Sequence, residues 1–176
     1  GIALLPQAES LSKAERGVIQ PWYADDAAMA GPVDGIARAM HRLTRDGPAR
    51  GYYPEPAKSV FIGADYAQRD ECARIFEFQN LNFKFEKGAR YLGGFVGDDE
   101  SRDAWLAPQI DKWTRGVETL AKVAKRFPQT AYAGLVTSLQ TEWTYLQRVV
   151  PGVDNQFQRI EDALKTSFIP IHMDSN

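Results

Sequence analysis

Two adjacent carboxylates, Asp25 and Asp26, are the residues of this sequence best suited to chemistry. Apolar, strand-like runs flank them, Gly17 to Trp22 on one side and Ala27 to Ala30 on the other. Like charges a few ångströms apart repel each other, but Mg²⁺ takes hard oxygen ligands and is usually held by one or two carboxylates together with substrate phosphates. The pattern predicts a hairpin whose acids either bind a divalent cation or form an ordinary surface turn, where Asp is also common.

Two further stretches carry chemically useful groups. Lys58 opens an apolar run that ends at Ile62, so it is either a solvated surface lysine or a cation placed to meet phosphate. The run Tyr91 to Val96 contains Gly93 and Gly94, which occur in ordinary strands but also let another backbone approach closely. Neither stretch identifies a function by itself.

The composition bounds the class of protein. The chain has 176 residues, 44% of them hydrophobic, enough for one domain or for one domain with a small helical appendage. The single cysteine, Cys72, excludes an internal disulfide framework and is expected to be a small core residue. With only two histidines, a zinc site is not expected.

No apolar run is long enough to cross a bilayer and no signal peptide is evident. We therefore expect an intracellular protein, nuclear or cytoplasmic, that is not secreted and has no membrane partner. With a net charge of −2, the chain as a whole does not attract nucleic acid, but it can still carry a local basic patch.

The first hundred residues predict a mixture of helices and strands. The polar run Gln7 to Arg16 is expected to be a loop. Apolar residues at three- and four-residue spacing predict helices over Val33 to Leu43 and Asp65 to Asn80. The alternating run Leu81 to Phe85 and the run Arg90 to Val96 predict a second β-hairpin.

From Ser101 onward the pattern is helical. Apolar residues step by four and three from Leu106 to Phe127, and further inward faces follow after Pro128, beginning with Tyr132, and after Asp154. Three amphipathic helices joined by short loops form a small bundle. We therefore predict an α+β fold, with a small, mainly antiparallel sheet and two or three helices in residues 1–100 and a three-helix bundle in residues 101–176.

Four stretches resemble motifs of one family. Tyr23-Ala24-Asp25-Asp26 resembles the Tyr-x-Asp-Asp box of reverse transcriptases. Gly51 to Ser59 is similar to a Gly-x-x-x-Asn-x-x-Lys-Thr signature that follows this box in retroelement enzymes, with Glu55 where the family prefers Asn. Tyr91 to Val96 is similar to the family's primer-gripping hairpin, and several strings after Phe127 are similar to its C-terminal thumb. The stretches follow in the family's order and cover nearly the whole chain.

The resemblance implies a fold and an activity. Residues 1–100 would be part of a polymerase palm, and residues 101–176 the helical thumb, of a eukaryotic retrotransposon-type reverse transcriptase. Its activity is RNA-directed DNA polymerisation, a nucleotidyl transfer from dNTP to the 3′-OH of a DNA primer on an RNA template with two Mg²⁺. The family's fingers, first metal-binding aspartate and Gln-Gly motif are expected before residue 1, so we expect this chain to need that upstream segment and not to polymerise alone.

The resemblance also implies roles for particular residues. Asp25 and Asp26 are expected to hold the metal and, with Lys58 beside the nucleotide phosphates, to be the catalytic residues. Tyr23 and Ala24 are expected to flank the primer end and the nucleotide. The residues expected to grip the primer are Leu92, Gly93, Gly94 and Phe95. The cations expected near the duplex backbone are Lys112, Arg115, Lys122 and Lys125.

Two other functions stay open at this point. A non-catalytic binding or interaction module, derived from a degenerate reverse transcriptase, fits the net charge of −2 and the missing upstream motifs. A different two-metal nucleotidyltransferase would share only the acidic hairpin, and the primer-grip and thumb strings argue against it.

Overall fold

The computed structural model describes residues 4–23, 26–63, 66–78 and 80–173. The chain has the predicted α+β class and divides into two compact units, Gly1–Glu86 and Lys87–Asn176. The sequence predicts that the purely helical part begins near residue 100, whereas the boundary between the two units lies earlier, between Glu86 and Lys87. The hairpin that follows Lys87 therefore belongs with the helices.

The first unit combines helices with short strands. In chain order its elements are α1 (Leu5–Ala14), β1 (Trp22–Tyr23), β2 (Asp26–Ala27), α2 (Val33–Asp46), β3 (Val60–Ile62), α3 (Tyr66–Phe78) and β4 (Lys84–Glu86). Strand β1 pairs antiparallel with β2, and β3 pairs parallel with β4. Short 3₁₀ turns at Pro48–Arg50 and Pro56–Lys58 connect α2 to β3.

Helix α1 replaces the loop predicted for Gln7 to Arg16, so that prediction is wrong. Pro6 is compatible with a first helical turn, where its missing N–H would have no partner. Gln7 and Leu11 lie one turn apart and are both buried, and the helix packs against α2. Because Gln7, one of these two buried residues, is polar, the sequence shows no clear repeat of apolar residues at helical spacing.

The core of the first unit lies between α2 and α3. The buried residues that form it are Ala37, Met40, Leu43, Cys72, Phe76 and Leu81. Aromatic rings from the parallel strands close it, with the Phe61 ring centroid 5.0 Å from that of Phe76. Cys72 is therefore a core residue, as predicted.

The second unit begins with a hairpin and continues as helices. Its elements are β5 (Gly88–Tyr91), β6 (Gly94–Gly97), α4 (Asp99–Ala124), α5 (Pro128–Gly134), α6 (Gln140–Val149), α7 (Asp154–Ala163) and α8 (Ile169–Met173). A π-helical turn, Leu135–Leu139, joins α5 to α6, and another, Leu164–Phe168, joins α7 to α8. The helices thus form three continuous rods, as the sequence predicts.

The hairpin predicted between Leu81–Phe85 and Arg90–Val96 is wrong. The first of these runs ends in β4, which pairs with β3. The second run folds back on itself, because Leu92 and Gly93 take left-handed φ values of 47° and 80°. Two such residues make the tight turn that matches the twist of a β-hairpin, and β5 and β6 pair across it.

Helix α4 carries the core of the second unit. Its predicted inward residues Leu106, Ile110, Trp113 and Val117 are all buried. The helix begins beyond Asp98, whose Oδ1 caps it by accepting a hydrogen bond from the Ser101 backbone N–H at 2.7 Å.

Two aromatic residues do not occupy their predicted core positions. Phe127 and Tyr132 are both exposed. Helix α4 ends at Ala124, so its inward face stops before Phe127. On α5 the buried position belongs to Ala131, which turns Tyr132 outward.

Candidate functional site

Asp26, the second of the two adjacent acids, lies in an antiparallel hairpin. Trp22 lies opposite Ala27, and Tyr23 lies opposite Asp26. Farther from the tip, Ile19 and Ala30 exchange two backbone hydrogen bonds of 2.8 and 2.9 Å. The predicted hairpin is therefore confirmed. Ala24 and Asp25 lie outside the described residues, so their predicted roles stay predictions.

Pro21 weakens the ladder near this tip. Hydrogen-bonded and non-hydrogen-bonded pairs alternate along an antiparallel ladder, and Ile19 with Ala30 is a hydrogen-bonded pair. Two residues on, Pro21 accepts a 3.0 Å bond from the Ala28 N–H but has no N–H to return. Pro21 therefore occupies a hydrogen-bonded position of the ladder, where its missing N–H leaves one bond unmade.

The two faces of the hairpin have different surroundings. Trp22 is half-buried and packs edge-on against Tyr52, with ring centroids 5.8 Å apart. Tyr23 is 64% exposed, and Asp26, directly opposite, is exposed as well. Because opposed residues share one face of a ladder, a phenol and a carboxylate stand together on the open face.

The inward face also holds polar atoms that no described residue satisfies. Both amide atoms of Gln20 and the indole Nε1 of Trp22 are buried without a hydrogen-bond partner in the described part of the chain. Gln20 lies two residues before Trp22, in the segment that leads into β1. Such groups raise the free energy of the folded state, since each loses its bonds to water.

Lys58 is held by its neighbour Glu55. The lysine ends the 3₁₀ turn Pro56–Lys58 rather than starting a strand, and its Nζ lies 2.6 Å from Glu55 Oε2. Residues three apart eclipse each other in a 3₁₀ turn, which explains the pairing. Both side chains are exposed. Glu55 also stands where the retroelement signature that this stretch resembles prefers Asn.

The predicted primer-gripping residues form the tip of the β5–β6 hairpin. Leu92 and Gly93 are the turn, Gly94 is buried at the start of β6, and the Phe95 ring stacks on Trp105 with centroids 5.3 Å apart. A Cβ on Gly93 would lie 3.1 Å from the Tyr145 ring. A Cβ on Gly94 would likewise lie 3.3 Å from a methyl group of Val149 on α6. The glycines therefore let the hairpin pack closely on the helix.

The cations predicted to meet a duplex differ in their surroundings. Lys112 Nζ lies 2.7 Å from Glu142 Oε2, which also accepts a 2.9 Å bond from the indole N–H of Trp113. The Lys112 bond first, and the Trp113 bond second, hold the pKa of Glu142 below its ordinary value. Arg115, Lys122 and Lys125 are exposed and belong to none of the ion pairs found in the described residues.

The structure brings together some of the predicted site residues. Tyr23 and Asp26 share one face, and Leu92 to Phe95 form one turn, whereas Lys58 pairs with Glu55 among the described residues. No group of three or more His, Cys, Asp and Glu side chains is placed to hold a metal ion in the described ranges, which do not include Asp25. None of the helices in those ranges is long and apolar enough to span a membrane.

Sequence reasoning missed two residues of chemical interest, Arg126 and Phe127. They follow Lys122 and Lys125, and the stretch between Glu118 and Glu142 contains no acidic residue. That charge pattern was the signal that could have found them.

Comparisons with known proteins do not identify a relative. Scans against models of protein families, among curated proteins and among solved structures found no match.

Proposed function

We propose that this chain is the palm-and-thumb part of an RNA-directed DNA polymerase of the retrotransposon type, acting on an RNA template, a DNA primer and dNTP. The observation that carries the proposal is the register of the first hairpin, in which Tyr23 lies opposite Asp26. This register leaves only Ala24 and Asp25 between the paired residues. The Tyr-x-Asp-Asp string thus spans a two-residue hairpin connection, which suits a site that must hold carboxylates in fixed positions.

The donor chemistry of the hairpin fits Mg²⁺. Asp25 and Asp26 offer adjacent hard-oxygen ligands, and Asp26 is exposed to incoming ligands. When bound, a pair of Mg²⁺ ions stabilises the attacking and leaving oxygens of an in-line phosphoryl displacement. The chain's own contribution is to hold the carboxylates in place and to present Tyr23 on the same face as Asp26.

In this proposal Lys58 leaves its ion pair with Glu55 and binds the phosphates of a nucleotide instead. Its ammonium group lies against the Glu55 carboxylate, and a nucleotide's phosphates would compete for it. An exposed ion pair contributes little free energy, typically about 0–1 kcal/mol, so phosphate can displace it. Lys58 is therefore available to a bound nucleotide at small cost.

The second candidate function is the non-catalytic interaction module. The pairing of Lys58 with Glu55 favours it, since the resembling signature has a neutral Asn at that position. A module of this kind needs neither metal binding at the hairpin nor a free lysine. Metal binding therefore separates the two functions.

Manganese titration of the ¹⁵N-labelled chain tests the proposal. Paramagnetic Mn²⁺ should broaden the amide signals of Tyr23 to Ala27 with a saturable affinity in the millimolar range, and excess Mg²⁺ should reverse the broadening. Asp25→Asn and Asp26→Asn should each weaken the effect, and Asp34→Asn, an exposed acid on α2, should not. An unsaturable response that none of these variants changes contradicts the proposal and favours the module.

Primer extension examines the activity directly. We expect the purified chain alone to add no nucleotides to a DNA primer on an RNA template. Extension that Asp25→Asn abolishes would establish the polymerase and show that the expected upstream segment is dispensable.

A further inference from the structure

The turn between α4 and α5 carries a local positive surface. Lys122, Lys125 and Arg126 are all exposed there. None of them belongs to an ion pair within the described residues. No acidic residue occurs between Glu118 and Glu142, and the Glu142 carboxylate is bonded to Lys112 and Trp113. In a chain of net charge −2, three unpaired cations so close together are a distinct feature.

An exposed aromatic ring accompanies these cations. Phe127 is 53% exposed, and the guanidinium carbon of Arg126 lies 5.2 Å from its ring centroid. The helix dipole explains why cations collect at the C-terminal end of α4. It does not account for Phe127, whose exposed ring lies directly beside these cations and offers a flat face for stacking.

We infer that Lys122, Lys125, Arg126 and Phe127, here named the basic turn, bind single-stranded nucleic acid. The cations meet successive phosphates, and Phe127 with its neighbouring guanidinium offers a surface on which one base stacks. A duplex supplies the phosphates equally well, but its bases are already stacked on one another and cannot reach the ring. The exposed ring therefore favours a single strand over a duplex.

This inference goes beyond the polymerase proposal. It uses no residue of the acidic hairpin, and neither Lys58 nor the β5–β6 turn takes part. The basic turn belongs to the second unit alone. It can therefore bind a strand whether or not the chain is part of a polymerase.

Fluorescence anisotropy with the full chain tests the basic turn. The probes are a labelled 12-nucleotide DNA strand, the RNA strand of the same sequence and the matching DNA duplex, each titrated at several salt concentrations. The triple variant Lys122→Gln/Lys125→Gln/Arg126→Gln should bind both single strands at least tenfold more weakly. It should also flatten the slope of log affinity against log salt by about 2, since each lost phosphate contact removes about 0.7 for a single strand.

A matched triple variant controls for net charge. Lys13→Gln/Arg16→Gln/Arg74→Gln removes three exposed cations from the first unit and changes the net charge equally. It should leave the affinity for single strands within about twofold of the unaltered chain, because weak non-specific attraction is all that it reduces. Equal losses in the two triple variants overturn the inference.

Phe127 variants test the stacking step. Phe127→Leu keeps an apolar side chain but removes the ring, and should weaken single-strand binding about tenfold while leaving duplex binding unchanged. Phe127→Trp, which keeps an aromatic ring, should bind single strands at least as tightly as the unaltered chain. Circular dichroism should show both variants folded, as expected for a side chain more than half exposed. If Phe127→Leu binds like the unaltered chain, or if the duplex is preferred to both single strands, the proposed site is wrong.

Discussion

Tyr145 on α6 donates its phenolic hydrogen to the backbone carbonyl of Leu92, with the two oxygens 2.5 Å apart. The bond joins the middle of a helix to the tip of the β5–β6 hairpin, where Leu92 holds a left-handed φ of 47°. A leucine is uncommon in that conformation, because its Cβ crowds the backbone. The contact with α6 therefore helps to keep the turn in this shape.

Removing the Tyr145 hydroxyl should loosen the hairpin tip. Tyr145→Phe keeps the ring but loses the bond to Leu92, so we expect the free energy of unfolding to fall by about 1 kcal/mol. Urea denaturation followed by tryptophan fluorescence measures the change. Tyr53→Phe, at a highly exposed ring in the first unit, is the control and should change nothing. Equal stability of the Tyr145→Phe variant and the unaltered chain would show that the bond is not maintained in solution.

Alanine substitutions at two glycines separate backbone strain from packing. Gly93 and Gly51 both have left-handed φ values, 80° and 74°, but only Gly93 has a side chain close to where a Cβ would lie. We expect Gly51→Ala to lower the free energy of unfolding by about 1 kcal/mol, from the strained φ alone. Gly93→Ala should cost more, since its methyl group also meets the Tyr145 ring.

The same denaturation experiment compares the two glycine variants. Gly93→Ala should cost less in a Tyr145→Ala background than in the unaltered chain, because the neighbouring ring is then gone. If the two single variants are equally destabilised, the close packing of the hairpin on α6 makes no contribution.

The first hairpin was predictable because its signals are local. Apolar runs flank Asp25 and Asp26, and turn-favouring residue types between two such runs are sufficient to indicate a hairpin. The helical rods of the second unit were equally visible, since Leu106 to Val117 repeat at helical spacing along one face. A sequence pattern predicts a helix or strand well when the residues that determine it lie within or next to that element in the sequence.

Long-range contacts explain the failures. Helix α1 was mistaken for a loop because its buried side chains include Gln7, and the Glu15 carboxylate that follows it is also buried, against arginines on α2. The turn at Leu92 was missed because its favourable contact is with Tyr145, 53 residues later. No local pattern reports either pairing. The roles of Ala24, Asp25 and Lys58 rest on resemblance alone. These roles are contacts with a metal ion, a primer and a nucleotide, and only binding of those ligands tests them.

The buried carboxylate of Glu15 should be important for the first unit. It is only 7% exposed and accepts hydrogen bonds of 3.0 to 3.3 Å from the Arg38 guanidinium, with Arg42 Nε 3.7 Å away. Glu15→Gln keeps the shape but removes the charge that two arginines share. We expect the free energy of unfolding to fall by about 2 kcal/mol, as for other hydrogen bonds to charged groups. Glu9→Gln on the exposed side of α1 is the control, and a similar loss there would mean that the effect is not specific to the buried group.

The carboxylate of Glu142 should make the second unit sensitive to acid. Its pKa in the folded chain lies below the ordinary value of 4.5, first because Lys112 and then because Trp113 donates a hydrogen bond to the charged form. A lowered folded pKa means that the unfolded chain takes up the proton first, so this contribution to stability is complete well above pH 4.5 and is lost as the pH falls through the folded pKa. Glu142→Gln cannot titrate and should lower the free energy of unfolding at pH 7.

The difference between the Glu142→Gln variant and the unaltered chain should then shrink below about pH 4.5, near the ordinary pKa of a glutamate. Urea denaturation at a series of pH values measures it, with Glu118→Gln, an exposed acid on α4, as the control. Because the Lys112 pair is exposed and screened by salt, the difference should also fall at high ionic strength, whereas the bond from the Trp113 indole should persist. A difference that stays constant from pH 7 to pH 3 would mean that the charge of Glu142 contributes nothing to stability.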